Sequence, residues 1–380
     1  MSGTCVAGIG MTEFSRASGR SAERLAVEAA TAACEDAGLP TSAVDGIVPF
    51  PFGPSAEDLI AGLGLPDVTF TAVPHLGGAS TVAGLRLAAL AVANGAASCV
   101  LVFVARNGRS GSRVEQRIGV LLPGQRYRRQ LEHPHGFTTP AQWYSMIARR
   151  HMHEFGTTRE HLGAVALAMR AHAQLNPHAQ MHGRPMTMEQ YRSSRPIAEP
   201  YLLLDCCQET DGAGAVLVVA ADRARDLRHR PVHLSGLAEG HPDSPDDLVN
   251  RRDFFTVGLT RAAPRAFAMA GVTPSDVDAA MIYDCFTFEV IQQLEEAGFC
   301  ARGDGGPFVD DGGIALGGRL PVNPHGGLLS DGHIAGMNHV VEAVVQLRGD
   351  GGERQVPGAE VVAVTGWGDM GDGAIAVLTR

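Results

Sequence analysis

An internal repeat constrains the fold of this chain more than any other feature of the sequence. The segment AGLPTSAVDGIVPF (37–50) is echoed by AGVTPSDVDAAMIYD (270–284), with Asp45 and Asp278 at the same offset from the Ala-Gly pair. Each copy follows an alanine-rich segment of helical character, so each indicates a helix that ends at glycine, a short turn and an apolar strand. Such self-similarity predicts two similar α/β halves.

A second echo extends the repeat. Residues 84–108 run from a helical pattern through a glycine-containing turn to the strand-like CVLVFVA, and residues 335–373 follow the same order. These apolar strands lack alternation, which is typical of strands covered on both faces. We therefore predict an N-terminal half at 1–225, which includes an inserted region at 109–205, and a C-terminal half at 226–380.

The basic residues restrict the possible chemistry. All 31 of them are arginine, and the chain contains no lysine. A Schiff base to lysine is therefore impossible, so pyridoxal phosphate cannot be anchored covalently. The Gly-Lys-Ser/Thr of a phosphate-binding P-loop is excluded for the same reason. Chemistry at a carbon–carbon bond would need another way to stabilise a carbanion.

Charge and cysteine usage indicate the protein's surroundings. The formal net charge of −10 argues against a general nucleic-acid binder. The seven cysteines are odd in number and scattered, which fits reduced thiols in the cytoplasm better than a disulfide framework. No apolar run reaches the ~18 residues that would span a bilayer, and the N-terminus lacks the pattern of a secretory signal. We expect a cytoplasmic protein without a membrane span.

Two segments carry the residues best suited to catalysis. In NPHGGLLSDGHIAGMNH (323–339), two glycines and a Ser-Asp-Gly-His turn place His333 at the mouth of a loop. In IYDCFTFE (282–289), Tyr283 and Cys285 lie where an apolar run ends. Enzymes of the α/β class build their sites from strand ends and the loops that follow them. We therefore expect these residues to meet.

Other histidines do not form a metal-binding pattern. His151 and His153 lie two apart on a predicted helix and point to different faces, whereas a helical metal site needs i, i+4 spacing. His133 and His135 are spaced in the same way, although either could line a substrate pocket. The glycine-rich segments lack the strand–GxGxxG–helix context of a dinucleotide site. We predict no metal site.

Several motifs in order resemble the thiolase superfamily, specifically its sterol-carrier-protein and lipid-transfer-protein type. They are the GIGMTEF start, the Asn-Pro pair at 176–177, DCCQETDGAGA, YDCF, NPHGGLLSDGH and the glycine-rich end. The resemblance implies a five-layered αβαβα fold of two duplicated halves, usually in a homodimer. Within the superfamily the chain is most similar to steroid side-chain aldolases. Those enzymes cut an aldol bond in an acyl-CoA and work with a zinc-ribbon/OB-fold partner protein.

The resemblance also shows which thiolase groups this chain lacks. The reactive cysteine of thiolases corresponds to Ala79, beside Ser80, and the late cysteine corresponds to Thr365. Serine is a substitute nucleophile only with an activating base in contact, and a serine at this place is otherwise a helix N-cap. We expect the substrate or its CoA part to contact the following residues: Ala79, Ser80, His325, Gly327 and Gly366.

Other groups of the superfamily are kept. The Gly-His-Pro turn is matched up to His333, after which Ile334 replaces proline. The motif His-Asp-Cys-Phe is matched with Tyr283 in place of histidine, and its cysteine, here Cys285, is a proton-transfer residue in the relatives. Tyrosine at this position is a feature of the aldolase-like members. Because those members carry a second catalytic tyrosine where His333 stands, this chain is a hybrid.

The expected reaction is retro-aldol cleavage of a β-hydroxyacyl-CoA to a ketone plus propionyl-CoA or acetyl-CoA. We assign Tyr283 as the acid/base on the hydroxyl, His333 as oxyanion donor or second proton carrier, and Cys285 as a third candidate. Tyr283 would need a partner that lowers its pKa from about 10. The CoA thioester is substrate, and no cofactor is bound covalently. The alternatives are an acyltransferase with Ser80 or Cys285 as nucleophile, or a non-catalytic partner subunit.

Overall fold

The computed structural model describes residues 3–111, 128–244, 248–368 and 371–380. The strands are β1 (Thr4–Met11), β2 (Gly46–Pro49), β3 (Phe70–Thr71), β4 (Cys99–Asn107), β5 (Pro196–Ala198), β6 (Tyr201–Leu202), β7 (Asp211–Ala220), β8 (Val232–Gly240), β9 (Ala279–Met281), β10 (Val361–Gly368) and β11 (Asp372–Thr379). The helices are α1 (Ala22–Ala37), α2 (Ala56–Leu63), α3 (Ser80–Ala93), α4 (Pro140–Phe155), α5 (Arg159–Gln174), α6 (Met188–Arg192), α7 (Ala221–Ala224), α8 (Gly258–Ala270), α9 (Thr287–Glu296), α10 (Gly305–Asp310), α11 (Gly327–Ser330) and α12 (Met337–Arg348).

Most of the described strands form one sheet in the order β3-β2-β4-β7-β1-β8-β11-β10-β9. The strands of the first part of the chain occupy one end and those of the second part the other. The two ends join where β1 pairs with β8 through Cys5 opposite His233 and Val6 opposite Val232. The predicted boundary at residue 225 lies in the connection between β7 and β8.

Helices cover the outer faces of both halves of the sheet and also fill the layer between the two halves. Helix α1 packs on the outer face of the first half, while α3 and α12 lie between the inner faces of the two halves. Helices α5, α8 and α9 cover the outer face of the second half. The resulting order is helix, sheet, helix, sheet, helix, which confirms the predicted five-layered α/β fold.

The aspartates of the repeat have the same structural role in both halves. Asp45 precedes β2, and its carboxylate accepts the N–H groups of Ser98 and Cys99, where the neighbouring parallel strand β4 begins. Asp278 precedes β9 and accepts two N–H groups at the start of its parallel neighbour β10. A carboxylate that accepts several backbone N–H groups is strongly stabilised. The repeat therefore encodes a clamp that sets the register between two parallel strands.

The inserted region is helical. The sequence has helical patterns at 140–156 and 159–177, and the structure confirms these helices as α4 and α5. A two-stranded hairpin of β5 and β6 follows α6. Residues 112–127 of the insertion lie outside the described residues. Among the described helices, none is long and apolar enough to cross a membrane.

We expect both clamps to contribute similarly to stability. Asp45→Ala and Asp278→Ala should each lower the free energy of unfolding by about 1–3 kcal/mol, because the N–H groups at a strand start lose their acceptor. Urea unfolding measures the loss, with Asp67→Ala, at an exposed position, as the control. Losses no larger than that of the control would contradict the clamp.

The contribution of Asp45 should also depend on pH. Burial raises the pKa of its carboxyl, but the hydrogen bonds from Ser98 and Cys99 outweigh this and lower the pKa below its usual value. A lowered folded-state pKa stabilises the protein above the unfolded pKa of about 4, and this stabilisation is lost as pH falls through the folded value. The difference in the free energy of unfolding between wild type and Asp45→Ala, measured by urea unfolding, should therefore become smaller as the pH is lowered below 4.

Candidate active site

The two sequence segments singled out for catalysis meet in the structure. Tyr283 follows the end of β9, and its hydroxyl oxygen lies 3.1 Å from Nε2 of His333. The two rings meet edge to face, with centroids 6.1 Å apart. Tyr283 is almost fully buried, whereas His333 is partly exposed. A phenol in hydrogen-bond contact with a more accessible imidazole can pass a proton between them.

The backbone of Tyr283 is held by two buried side chains. Thr365 Oγ1 accepts the Tyr283 N–H at 3.2 Å and donates to Gln293 Oε1 at 2.7 Å. The amide nitrogen of Gln293 in turn donates to the Tyr283 carbonyl at 2.7 Å. Thr365, at the position of the late thiolase cysteine, therefore fixes the strand end that presents the phenol.

The loop before His333 is shaped by Asp284. Its carboxylate accepts two backbone N–H groups of α11 at 2.7 and 3.1 Å. Gly327, the first residue of α11, has φ +65°, and a Cβ there would collide with Asp284 Oδ2, so both conformation and space require glycine. At the far end of the loop, the His333 N–H donates to Thr210 Oγ1 at 2.9 Å. Asp284 orients the loop rather than reaching the phenol.

His325 and His339 form a buried layer under this loop. His339 Nδ1 lies 3.0 Å from His325 Nε2, and His339 Nε2 lies 3.2 Å from Asp284 Oδ1. Burial, followed by the nearby His339 and Arg354, lowers the pKa of His325 well below 6.5, so His325 is neutral. His325, expected to contact substrate, thus packs behind the loop with its side chain hydrogen-bonded to His339.

The position of the thiolase nucleophile is tightly packed. Ala79 is fully buried, and a Cβ built on Gly366 would lie 2.8 Å from its Cα. The two expected substrate contacts at Ala79 and Gly366 are therefore in contact with each other. Ser80 is the first residue of α3, and its Oγ accepts the Leu76 N–H at 2.9 Å, closing the preceding turn. Ala79, rather than Ser80, occupies the N-cap position.

The phenol of Tyr283 reaches this same turn. A Cβ on Gly78 would collide both with the Tyr283 hydroxyl and with the carbonyl oxygen of Trp367. The start of α3, the end of β10 and the Tyr283–His333 pair therefore converge. The first half contributes the turn and the second half contributes the titratable side chains.

Cys285 is buried close to Cys207 and Glu289, two residues to which the sequence patterns gave no role. Its carbonyl accepts the Cys207 N–H at 3.0 Å, and Tyr201 donates to the carboxylate of Glu289. Burial raises the pKa of the Cys285 thiol well above 9, with Glu289 and Cys207 adding to the effect. Burial also raises the pKa of Glu289 to about 8. Cys285 is consequently a thiol, suited to donating a proton and unsuited to nucleophilic attack.

Arg106 is the third group that was missed. Burial, and then Cys285, raises the pKa of Tyr283 well above 10, while the Arg106 guanidinium lowers it. Arg106 is thus the expected partner that lowers the pKa of Tyr283, but the opposite effect of burial is larger. A charged residue at the end of the apolar strand CVLVFVAR was the available signal for Arg106, and the unusual Cys206-Cys207 pair was the signal for Cys207.

His151 belongs to a hydrogen-bond network separate from the Tyr283–His333 pair. His151 is buried between Thr157 Oγ1 at 2.8 Å and Glu295 Oε2 at 2.9 Å, among aromatic rings. Within the described ranges, no group of three or more His, Cys, Asp or Glu side chains is arranged to hold a metal ion.

Comparison with known proteins gives the family to which this chain belongs. Residues 240–380 match the family described as Thiolase C-terminal domain-like. The chain is 44% identical to the 17-hydroxy-3-oxo-4-pregnene-20-carboxyl-CoA lyase of Mycobacterium tuberculosis over 95% of both chains. It is 42% identical to the steroid side-chain-cleaving aldolase of Thermomonospora curvata over 99% of this chain and 98% of that one. The chain belongs to the thiolase superfamily, among its lyases.

Solved structures of the thiolase superfamily show the same fold. The structure described as an Ltp2-ChsH2(DUF35) aldolase matches with a TM-score of 0.93 and 41% identity, over 100% of this chain and 98% of that chain. Human mitochondrial 3-ketoacyl-CoA thiolase matches over 100% and 98% with a TM-score of 0.72 at 16% identity, which supports the fold alone. The predicted resemblance to thiolases, and to aldolases in particular, is confirmed.

The contact at Gly78 predicts a sharp steric effect. Gly78→Ala should lower kcat by roughly 100-fold, because the added methyl group displaces the Tyr283 hydroxyl by about an ångström. Turnover of a β-hydroxyacyl-CoA by purified variants measures this. Gly3→Ala is the control, because the new Cβ would lie at ordinary contact distances of 3.5 Å from Ala221 Cβ and 4.0 Å from His233 Nδ1. Activity equal to that of the control would show that the phenol position does not matter.

Proposed function

We propose that the chain is an aldolase that cleaves a β-hydroxyacyl-CoA carrying a steroid or similar side chain, giving a ketone plus propionyl-CoA or acetyl-CoA. The main support is the Tyr283–His333 contact at 3.1 Å beside a nucleophile position filled by Ala79. Such a site favours proton transfer over acyl transfer. Identity of 42–44% to a CoA lyase and an aldolase supports the same reaction class.

Tyr283 acts as a proton relay in the first step. Because its pKa is raised by burial, it is a phenol at neutral pH rather than a ready base. It accepts the proton of the substrate's β-hydroxyl while its own proton passes to His333 Nε2. The bond between Cα and Cβ then breaks, Cβ becomes the ketone carbonyl, and the bonding electrons enter the thioester enolate.

The second step returns the proton. His333, now protonated, donates a proton to Cα of the enolate, which gives the short acyl-CoA. Where the Cys285 thiol donates the proton instead, the proton held by His333 returns to the Cys285 sulfur and restores both groups. Atoms and charges balance without an external oxidant or a covalent intermediate. Positioned acid/base groups of this kind contribute roughly 10²–10⁴-fold to a rate. The CoA thioester is the substrate, and the proposal includes no covalently bound cofactor.

A protein partner is part of the proposal. We infer a homodimeric core that binds a zinc-ribbon/OB-fold protein, as the similar aldolase structure is named for two components, Ltp2 and ChsH2(DUF35). A cytoplasmic location is supported by the seven cysteines, all of which lie in the described ranges as free thiols.

An acyltransferase is the second candidate, with Ser80 or Cys285 as nucleophile. Ser80 Oγ accepts a backbone N–H, and no His or carboxylate side chain of the described residues hydrogen-bonds to it. Cys285 is held as a thiol by burial. Both observations favour the lyase. A non-catalytic subunit is the third candidate, and the geometry of the Tyr283–His333 pair argues against it.

The deciding experiment follows ketone and short acyl-CoA by mass spectrometry, with a tertiary-alcohol β-hydroxyacyl-CoA as substrate. Purified chain is assayed with and without a co-expressed zinc-ribbon/OB-fold protein. Tyr283→Phe and His333→Asn should each lower kcat by roughly 10²–10⁴-fold, because the relay is cut. Tyr191→Phe is the matched control, since it removes a buried hydroxyl that bonds Asp205 outside the site.

Two outcomes would contradict the aldolase, and a third would contradict the role of Tyr283. Uncleaved substrate with an acylated protein in the intact mass would establish the acyltransferase. Full activity of the complex carrying Tyr283→Phe and His333→Asn would establish the non-catalytic subunit. Loss of activity in Tyr191→Phe equal to that in Tyr283→Phe would remove the special role of Tyr283.

A further inference from the structure

Arg106 points from the sheet toward the centre of the molecule. It lies near the end of β4, where Val102 and Val104 pack into the central cluster with α3 and α12. Successive side chains of a strand face opposite sides of the sheet. Arg106 has the same parity as these valines, so its side chain enters the layer between the two halves.

The neighbouring strand gives a more exact placement. Arg106 lies directly opposite Gly212 of β7, and side chains of directly opposed residues project on the same face. A Cβ built on Gly212 would lie 2.9 Å from Phe14 Cε1 and 3.6 Å from Ile334 Cγ2. Ile334 directly follows His333. The guanidinium of Arg106 is therefore directed at the loop segment that carries His333.

Arg106 is buried without a counter-ion among the described residues. The residue is 8% exposed, its Nε atom has no hydrogen-bond partner, and no carboxylate of the described ranges pairs with it. Its Cζ atom lies 5.7 Å from the ring centroid of Phe50, a weaker interaction than an ion pair. Keeping a cation in such a place costs free energy unless negative charge appears beside it.

The other titratable groups around Tyr283 cannot supply positive charge permanently. They come from the segment of Tyr283 itself, from the connection between β6 and β7, from the His333 loop and from α12: Cys285, Asp284, Cys207, His333 and His339. Two thiols, one carboxylate and two imidazoles carry no permanent positive charge. Arg106 is therefore the permanent cation beside these groups.

We propose that Arg106 is a positioning residue whose guanidinium stabilises the negative charge passing through the Tyr283 oxygen during proton relay. The inference rests on the proposed function for its kinetic part only. A preorganised charge in a water-poor site stabilises a developing anion without reorganisation. The opposing influences on the pKa of Tyr283, lowered by Arg106 and raised by burial, agree with this role.

Kinetics of charge-removing and charge-keeping variants test the proposal. Arg106→Gln should lower kcat by roughly 10- to 100-fold, less than the loss of a direct oxyanion donor, with KM nearly unchanged. The high-pH limb of its pH–rate profile, where the Tyr283 phenol ionises, should move up by about one unit, because the phenol loses the cation that lowers its pKa. Arg106→Lys should recover most of kcat. Arg86→Gln on α3, where Arg86 pairs with Glu239, is the control.

A second measurement needs no turnover. Difluorotyrosine, whose phenol is more acidic, is incorporated at position 283, and its ionisation is followed by absorbance. The pKa should be about one unit higher with Arg106→Gln than with arginine, and Arg106→Lys should restore it. If the glutamine variant does not fold, Arg106→Met provides the same comparison.

The outcomes separate this inference from the aldolase proposal. If Arg106→Gln raises the fluorotyrosine pKa but the protein with arginine does not cleave substrate, the role of Arg106 is supported and the aldolase is rejected. An unchanged pKa in Arg106→Gln would overturn the role of Arg106 even if cleavage is observed. A variant with raised KM but unaltered kcat and pH profile would also overturn it, because Arg106 would then bind a substrate anion.

Discussion

Close backbone packing between the start of α3 and the end of β10 controls what the site can hold. Gly366 lies against Ala79, and a Cβ on Gly368 would collide with the Leu76 carbonyl oxygen. Only glycine permits such an approach. The place where the resemblance to thiolases puts a reactive cysteine is therefore a packed contact, and the phenol of Tyr283 meets the same turn at Gly78. In the reaction proposed above, a proton relay takes the place of the nucleophile.

Burial is the second constraint, and it acts on the site as a whole. Glu289 has a pKa of about 8, and the thiols of Cys207 and Cys285 are held protonated. The environment of Tyr283 thus contains proton donors that keep their protons at neutral pH. Such surroundings suit a reaction that ends with protonation of a carbanion. They would hinder a thiolate, whose charge would have to be desolvated.

The sequence predicted the features that depend on local pattern. The repeat with Asp45 and Asp278, the helices α4 and α5, and the meeting of Tyr283 with His333 all follow from periodicity, turn chemistry and motif order. The proximity of Arg106 and Cys207 to Tyr283 could not be read from the sequence, because it depends on strand order and on which face of a strand is inward. Local pattern also could not predict the position of His325, because its burial behind the loop depends on packing against His339.

The two copies of the repeat differ in the aromatic residue that follows the clamp aspartate. Five residues after the clamp aspartate, the first copy has Phe50 and the second has Tyr283, so these aromatic residues occupy equivalent positions. Phe50 lies under the guanidinium of Arg106, whereas Tyr283 carries the hydroxyl that faces His333. A single oxygen atom distinguishes the ring that contacts a cation from the ring that hydrogen-bonds to His333. This one difference between equivalent positions makes the interior between the two halves chemically asymmetric.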